Sequence, residues 1–192
     1  MRFWLCTAVI LCVVLTLAAI LAPALRSSQR AANERETATM LKTLASAEAD
    51  FRSNDRDANG VNDYWTGDVA GLYSLKASGR ELRLIERSVA EADTCPIRML
   101  GWPYRPRSGY YFQALEADDN EGGETYFQNT GGNRPMGDVH HLSKFGFGAY
   151  PASRSDGAYS FVLNENNTVF RFRDVGHVTR WPQDNDLKRL IG

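Results

Sequence analysis

The sequence predicts an α+β fold in which a long N-terminal helix, membrane-spanning at its start, packs on a small antiparallel sheet. Three observations predict it. An uncharged apolar run stands at the N-terminus, an amphipathic helical repeat follows it without a strong break, and from Gly109 onward the pattern changes to strand-like segments rich in aromatic and β-branched residues.

Residues 3–25 carry no charge and are interrupted only by Thr7, Thr16 and Pro23, a run of about the twenty residues needed to cross a bilayer. Arg2 precedes the run while Arg26 and Arg30 follow it, so flanking charge leaves the orientation open. Long C-terminal domains translocate largely regardless of charge, and the expected arrangement is a single-pass signal anchor in a bacterial cell membrane with the bulk of the chain extracytoplasmic. The alternative is secretion after cleavage near Ala22-Pro23-Ala24, although the run exceeds the usual signal-peptide core of about 7 to 15 residues. The domain reading is therefore an anchor over 1–25 and a globular domain over 26–192.

Within that domain, 26–54 reads as a helical stem. Met40, Leu41, Leu44, Ala45, Ala47 and Phe51 recur on one helical face, and nothing after Leu25 strongly breaks the helix, so anchor and stem form one rod. The next section, 55–108, reads as a turn and a short helix. Leu82, Ile85, Val89 and Ala92 have helical spacing between Gly79 and Pro96, and Pro96, Gly101, Pro103 and Pro106 then make a connection. The remainder, 109–192, reads as an antiparallel sheet with strands at 109–115, 145–150, 159–163 and 169–172, interrupted by a long polar insertion at 118–144. Alternation would bury only half of the aromatic side chains against a helix, and the insertion or a second subunit is expected to cover the rest.

The strongest local motif is Asp55-Arg56-Asp57-Ala58-Asn59-Gly60-Val61-Asn62-Asp63. It places Asp55, Asp57, Asn59 and Asp63 at the first, third, fifth and ninth positions of an EF-hand-like loop, with Gly60 at the sharp turn and the Val61 carbonyl as a further donor. These five residues are the candidate calcium ligands. The twelfth position is Thr66 rather than a bidentate glutamate, so water or Asp68 would complete the shell and the affinity should be weak. The competing explanation is a helix-ending turn in which Asp and Asn side chains bond their own backbone.

Other chemistry finds little support. With 22 basic and 23 acidic residues the chain has no overall basic field for nucleic acid. Cys6 and Cys12 lie in the apolar run, leaving Cys95 alone, which reads as a small packed residue rather than a redox centre. His140 and His141 are adjacent and would point apart on a strand. They read as exposed loop histidines, and His177 would join them in a zinc site only by a coincidence of folding. No nucleophile elbow or phosphate-binding glycine-lysine motif occurs, and no enzyme is expected.

The layout resembles the type IV pilin-like proteins, including the major pseudopilins of bacterial type II secretion: an apolar N-terminal segment with Pro23 inside it, an amphipathic continuation to Phe51, and a C-terminal antiparallel sheet. The chain departs from their pattern at its start, Met1-Arg2-Phe3-Trp4, and has no acidic residue before Glu34. Gly109-Tyr110-Tyr111-Phe112, Phe147-Gly148-Ala149-Tyr150-Pro151 and Phe161-Val162-Leu163-Asn164 look like bacterial envelope proteins of unknown function. The stretch from Asn33-Glu34 through Asp68-Val69-Ala70-Gly71-Leu72-Tyr73 similarly looks like planctomycete pilin-like proteins. The resemblance implies a pilin-like fold and a structural, assembly or adhesive role, with the membrane and homotypic or pilin-like subunits as partners. A tethered extracytoplasmic ligand-binding module is the alternative, and an unrecognised envelope hydrolase a lesser one.

Overall fold

A computed structural model describes residues 2–97, 104–118, 124–128, 130, 139–173, 176–182 and 188–189. One helix, α1 (Arg2–Ser53), runs unbroken through Pro23 and is about 78 Å long at the standard rise. Its two halves meet opposite surroundings. Ile10, Leu11, Val13, Val14, Leu15, Leu17, Ile20, Leu21 and Leu25 are all exposed, whereas Leu41, Leu44, Ala45, Ala47 and Phe51 are buried in the main core.

The rest of the chain folds around that second half. After α1 come β1 (Tyr64–Trp65), α2 (Gly71–Ser74), β2 (Lys76–Ala77), β3 (Arg80–Glu81), α3 (Arg87–Ala90), β4 (Tyr110–Ala114), β5 (His140–His141), β6 (Gly146–Pro151), β7 (Ser160–Asn164), β8 (Val169–Phe172) and β9 (Lys188–Arg189). The principal sheet has the order β4-β6-β7-β8-β9, antiparallel throughout, with Phe112 opposite Ala149 and Ala149 opposite Phe161. A separate two-strand ladder joins β1 to β5 and sets Trp65 opposite His140 and Tyr64 opposite His141.

Period-two alternation divides the sheet's side chains as a pleated strand must. Tyr110, Phe112, Phe147, Ala149, Phe161 and Leu163 join the core against α1. Tyr150, Val162 and Phe172 face the other way and pack with Leu115, Tyr126 and Val178, flanked by Trp181. The cover for the second face thus comes from within the chain: Tyr126 belongs to the insertion, and Val178 and Trp181 to the segment after β8. Of the insertion, 119–123, 129 and 131–138 lie outside the described residues.

Polar contacts pin the middle of α1 to the β6–β7 connection. Arg30 Nε donates to the Ser155 carbonyl at 3.2 Å, Asn33 Nδ2 to the Asp156 carbonyl at 3.0 Å, and the Ala158 amide to Glu34 Oε1 at 2.9 Å. Gly109 closes this seam with φ of +75°, and a Cβ there would stand 2.7 Å from Asp156 Cβ. Both the left-handed backbone and the close approach call for glycine.

The helix read between Gly79 and Pro96 is a correction. Only Arg87–Ala90 is helical. Ser78 and Gly79 take φ of 51° and 81° and turn β2 into β3, the geometry of a tight two-residue hairpin. Beyond it the Leu82 and Leu84 amides bond to the carbonyls of Leu75 and Leu72 at 2.8 and 2.9 Å. The helical spacing of the leucines is overridden because extended pairing satisfies the same backbone groups.

Leu44→Ala should destabilise the folded domain by about 2–5 kcal/mol, the cost of truncating a buried leucine, while Leu17→Ala in the uncovered half should stay within about 0.5 kcal/mol of the parent. Denaturant unfolding of the full-length chain in detergent measures both; equal losses would show that the two halves share one environment.

Candidate functional site

The loop after α1 is shaped by the way the helix stops. Asp55 takes φ of 43°; the Arg56 amide bonds back to the Phe51 carbonyl at 3.1 Å, and the Asp55 amide to that of Arg52 at 3.5 Å. This is the paired 6→1 and 5→2 closure of a helix C-terminus. Arg56 then swings back onto Asp50, 2.9 Å away, and the chain enters the predicted acidic loop.

Asp55 clamps that loop from inside, its Oδ1 and Oδ2 accepting the Asn59 and Gly60 amides at 3.0 Å each. Gly60 has φ of +85°, and so takes the sharp turn read from the sequence. Asn59 accepts the Val61 amide through Oδ1 at 2.7 Å and donates through Nδ2 to Asp57 Oδ2 at 2.9 Å. The Val61 carbonyl accepts the Asp63 amide at 3.1 Å. Of the five expected ligands, Asp55, Asn59 and Val61 therefore serve the loop's own backbone, while Asp57 and Asp63 turn toward one another.

A third donor meets them that the sequence reading assigned to solvent. His140 is 2 % exposed, held on β5 with its ring edge-on to Trp65 at 5.2 Å. Its Nε2 lies 3.0 Å from Asp57 Oδ2. One ligand atom from each of Asp57, Asp63 and His140 lies within 4.8 Å of the others. Thr130 Oγ1 donates to Asp63 Oδ2. Beneath the ladder lies Glu48, fully buried on α1, whose Oε2 accepts the Trp65 amide at 3.0 Å.

The electrostatics follow from burial and proximity. Burial pushes the Glu48 carboxyl well above the usual range; the Trp65 amide opposes this and the nearby charge of Asp63 adds to it. For Asp57 burial also favours the neutral form, yet the hydrogen bond and charge of His140, with bonds from Asp55 and Asn59, outweigh it and leave the group below its usual value.

Other sequence-singled residues go elsewhere. Asp68 does not complete the loop's shell: its oxygens accept Trp65 Nε1, the Gly71 amide and the Ile97 amide at 3.1, 2.6 and 2.5 Å. Thr66 Oγ1 donates to the Tyr126 carbonyl at 2.8 Å. The three histidines part. His141 is also buried, so the exposed-loop reading fails for both neighbours. The Nδ1 of His141 accepts the Ser143 and Lys144 amides at 3.1 and 2.9 Å, which leaves Nε2 to carry the proton toward Glu124 at 3.3 Å. His177 is exposed and sits 3.1 Å from the Tyr150 hydroxyl. Cys95 is exposed, and burial around its sulfur together with the charge of Asp93 pushes the thiol up, away from a reactive thiolate.

Glu48, Thr130 and His140 are the members of the cluster that sequence reading missed. Glu48 carried a signal: it stands four residues after Leu44 and three before Phe51, a charge on the apolar stripe of the helix. Thr130 and His140 come from the insertion and reach the loop only through the β1–β5 ladder, which no local pattern announces.

A second buried carboxylate holds the 68–97 region together. Asp93 accepts the Ala70 and Cys95 amides at 2.8 and 2.9 Å. Desolvation, reinforced by the charge of Asp68, pushes it up to about 7. With a folded value above the unfolded one, its stabilisation is full below about pH 4 and is lost as pH rises through about 7. Stability should fall across that window by an amount on the order of a few kcal/mol, and Asp93→Asn should flatten this part of the profile. Chemical unfolding from pH 4 to 8 measures it; parallel profiles for parent and variant would show that Asp93 does not titrate there.

Residues 24–185 match the family described as "Protein of unknown function (DUF2950)". No curated protein and no solved structure matches the chain.

Proposed function

The chain belongs to the DUF2950 family, a family of unknown function, and from its geometry we propose that it is a membrane-anchored, pilin-like envelope protein with a structural, assembly or adhesive role. One observation carries the reading. A single uninterrupted helix is bare and apolar along its first half and forms the core of the domain along its second. Residues from Ile10 onward provide a helix long and apolar enough to cross a membrane, with none of its apolar window buried inside the chain. Apolar surface of this extent is covered by lipid or by other helices. A protein that covers it with lipid is anchored, and one that covers it partly with copies of itself assembles.

In this reading the domain's role is mechanical. Two members of its most polar cluster, Asp63 and His140, are buried, and Asp57 is partly so. The sheet is capped on both faces by the chain's own segments, leaving α1 as the large uncovered apolar surface among the described residues. In this reading the first half of α1 holds the membrane and any neighbouring subunits, and the folded half carries the domain beyond the bilayer.

Cysteine pairs introduced along residues 10–21 should capture dimers and higher oligomers when the full-length protein is oxidised in membranes, with yield varying at helical period along the run. Monomer alone at every position would remove assembly and leave a simple tether. Release of the intact chain from membranes by carbonate or high salt, without detergent, would remove the anchor as well.

A further inference from the structure

We propose that Asp57, Asp63 and His140 form a binding site for a divalent transition-metal ion, with Glu48 as the carboxylate beneath it. The site stands independently of the envelope reading, since it rests on the loop and the β1–β5 ladder alone.

Geometry brings the donors together. Three potential ligand atoms, two carboxylate oxygens and an imidazole nitrogen, lie within 4.8 Å of one another. Donors at about 2.1 Å from one ion would stand no more than about 4.2 Å apart, so small side-chain movements suffice. Asp63 and His140 are 1 % and 2 % exposed and Asp57 is partly buried, so a bound ion would give up part of its hydration and be held by charged and imidazole donors that replace it.

Two buried oxygens point independently to a ligand. Glu48 is completely buried, and its Oε1 has no hydrogen-bond partner among the described residues. Its other oxygen accepts the amide of Trp65, the strand partner of His140, which places the carboxylate beside the cluster. Asp57 Oδ1 is likewise buried and without a hydrogen-bond partner among the described residues. Buried carboxylate oxygens left unsatisfied are costly; a cation held by Asp57 would satisfy Oδ1 directly, and its charge would favour the nearby Glu48 carboxylate, which already senses Asp63.

The donor set selects the class of ion. Calcium takes six to eight oxygen ligands in a roomy shell, whereas here Asp55, Asn59 and Val61 are occupied with the loop backbone and an imidazole takes part. Mixed imidazole and carboxylate donors suit manganese, iron, cobalt or zinc. The EF-hand-like spacing therefore supplies the loop's shape, while the ligands come from its third and ninth positions and from a histidine 77 residues beyond Asp63 in the sequence.

The test uses the full-length chain in detergent after treatment with a chelator. Zinc or manganese chloride at micromolar concentration should raise the melting temperature saturably, and calcium chloride at about a hundredfold higher concentration should not reproduce the rise. Glu48→Gln should weaken metal affinity by about 10–100-fold, and His140→Gln should abolish the response, while His177→Ala, at an exposed histidine, should leave it unchanged. Should His140→Gln fail to fold, pulsed electron paramagnetic resonance of the manganese-loaded parent decides: nitrogen coupling from one imidazole is expected. A larger rise with calcium, a response that survives in His140→Gln, or manganese without nitrogen coupling would each overturn the site. Absence of any metal response in the parent would overturn it as well.

Discussion

Leu41, Leu44, Ala45, Ala47 and Phe51 bury one stripe of α1 against the sheet and the 64–92 segment, and the remaining architecture is arranged around that contact. A side chain of this kind is worth about 1.5–3 kcal/mol when fully buried, so the stripe is among the larger favourable contributions in a small domain. Because an α-helix turns rigidly, the stripe also fixes what the neighbouring positions meet. Asn33 and Thr37 fall on its extension and are buried, the first spending its amide on Asp156. Glu48 falls on it too and is carried into the interior whatever its charge costs.

That cost explains why the end of α1 is so heavily tied. Burial answers part of that cost by holding Glu48 toward its neutral form, and the buried polar group still requires hydrogen-bond partners. Glu48 is met by the Trp65 amide, which draws β1 against the helix; β1 in turn recruits β5, and β5 brings His140 over Asp57. The sequence of contacts runs from one buried acid through a two-residue ladder to the acidic loop. Trp65 is the pivot: its amide faces Glu48, its indole nitrogen donates to the Asp68 carbonyl at 2.8 Å, and its ring abuts His140.

Features set by local periodicity were legible in the sequence, and features set by long-range pairing were not. The apolar run, the stripe ending at Phe51 and the strands around Tyr110, Phe147, Phe161 and Phe170 each follow from spacing of 3.6 or 2. The leucines at 82 and 84 show the limit of that method, since a left-handed Ser78-Gly79 turn makes their segment extended despite helical spacing. In the acidic loop, local chemistry announced the turn and the clamping role open to Asp55. It could not tell ligating from capping oxygens, because both uses select the same residue types at the same spacing. His140 was misread for a related reason: a polar residue in a polar insertion has no local sign of burial, and only its pairing with Trp65 encloses it.

The continuity of α1 also fixes heights. From Leu25, where the apolar run ends, to Asn33, which is tied to the β6–β7 connection through Asp156, is about 12 Å at the standard rise. With that run in a bilayer, the 152–159 connection lies close to the lipid headgroups, beside Arg26 and Arg30. From Asn33 to Ser53 the helix runs about 30 Å further, so the acidic loop stands at the end of α1 opposite the apolar run. The same geometry separates two surfaces along one element: the exposed apolar side chains lie in the first half of α1, and the acidic loop stands at its tip.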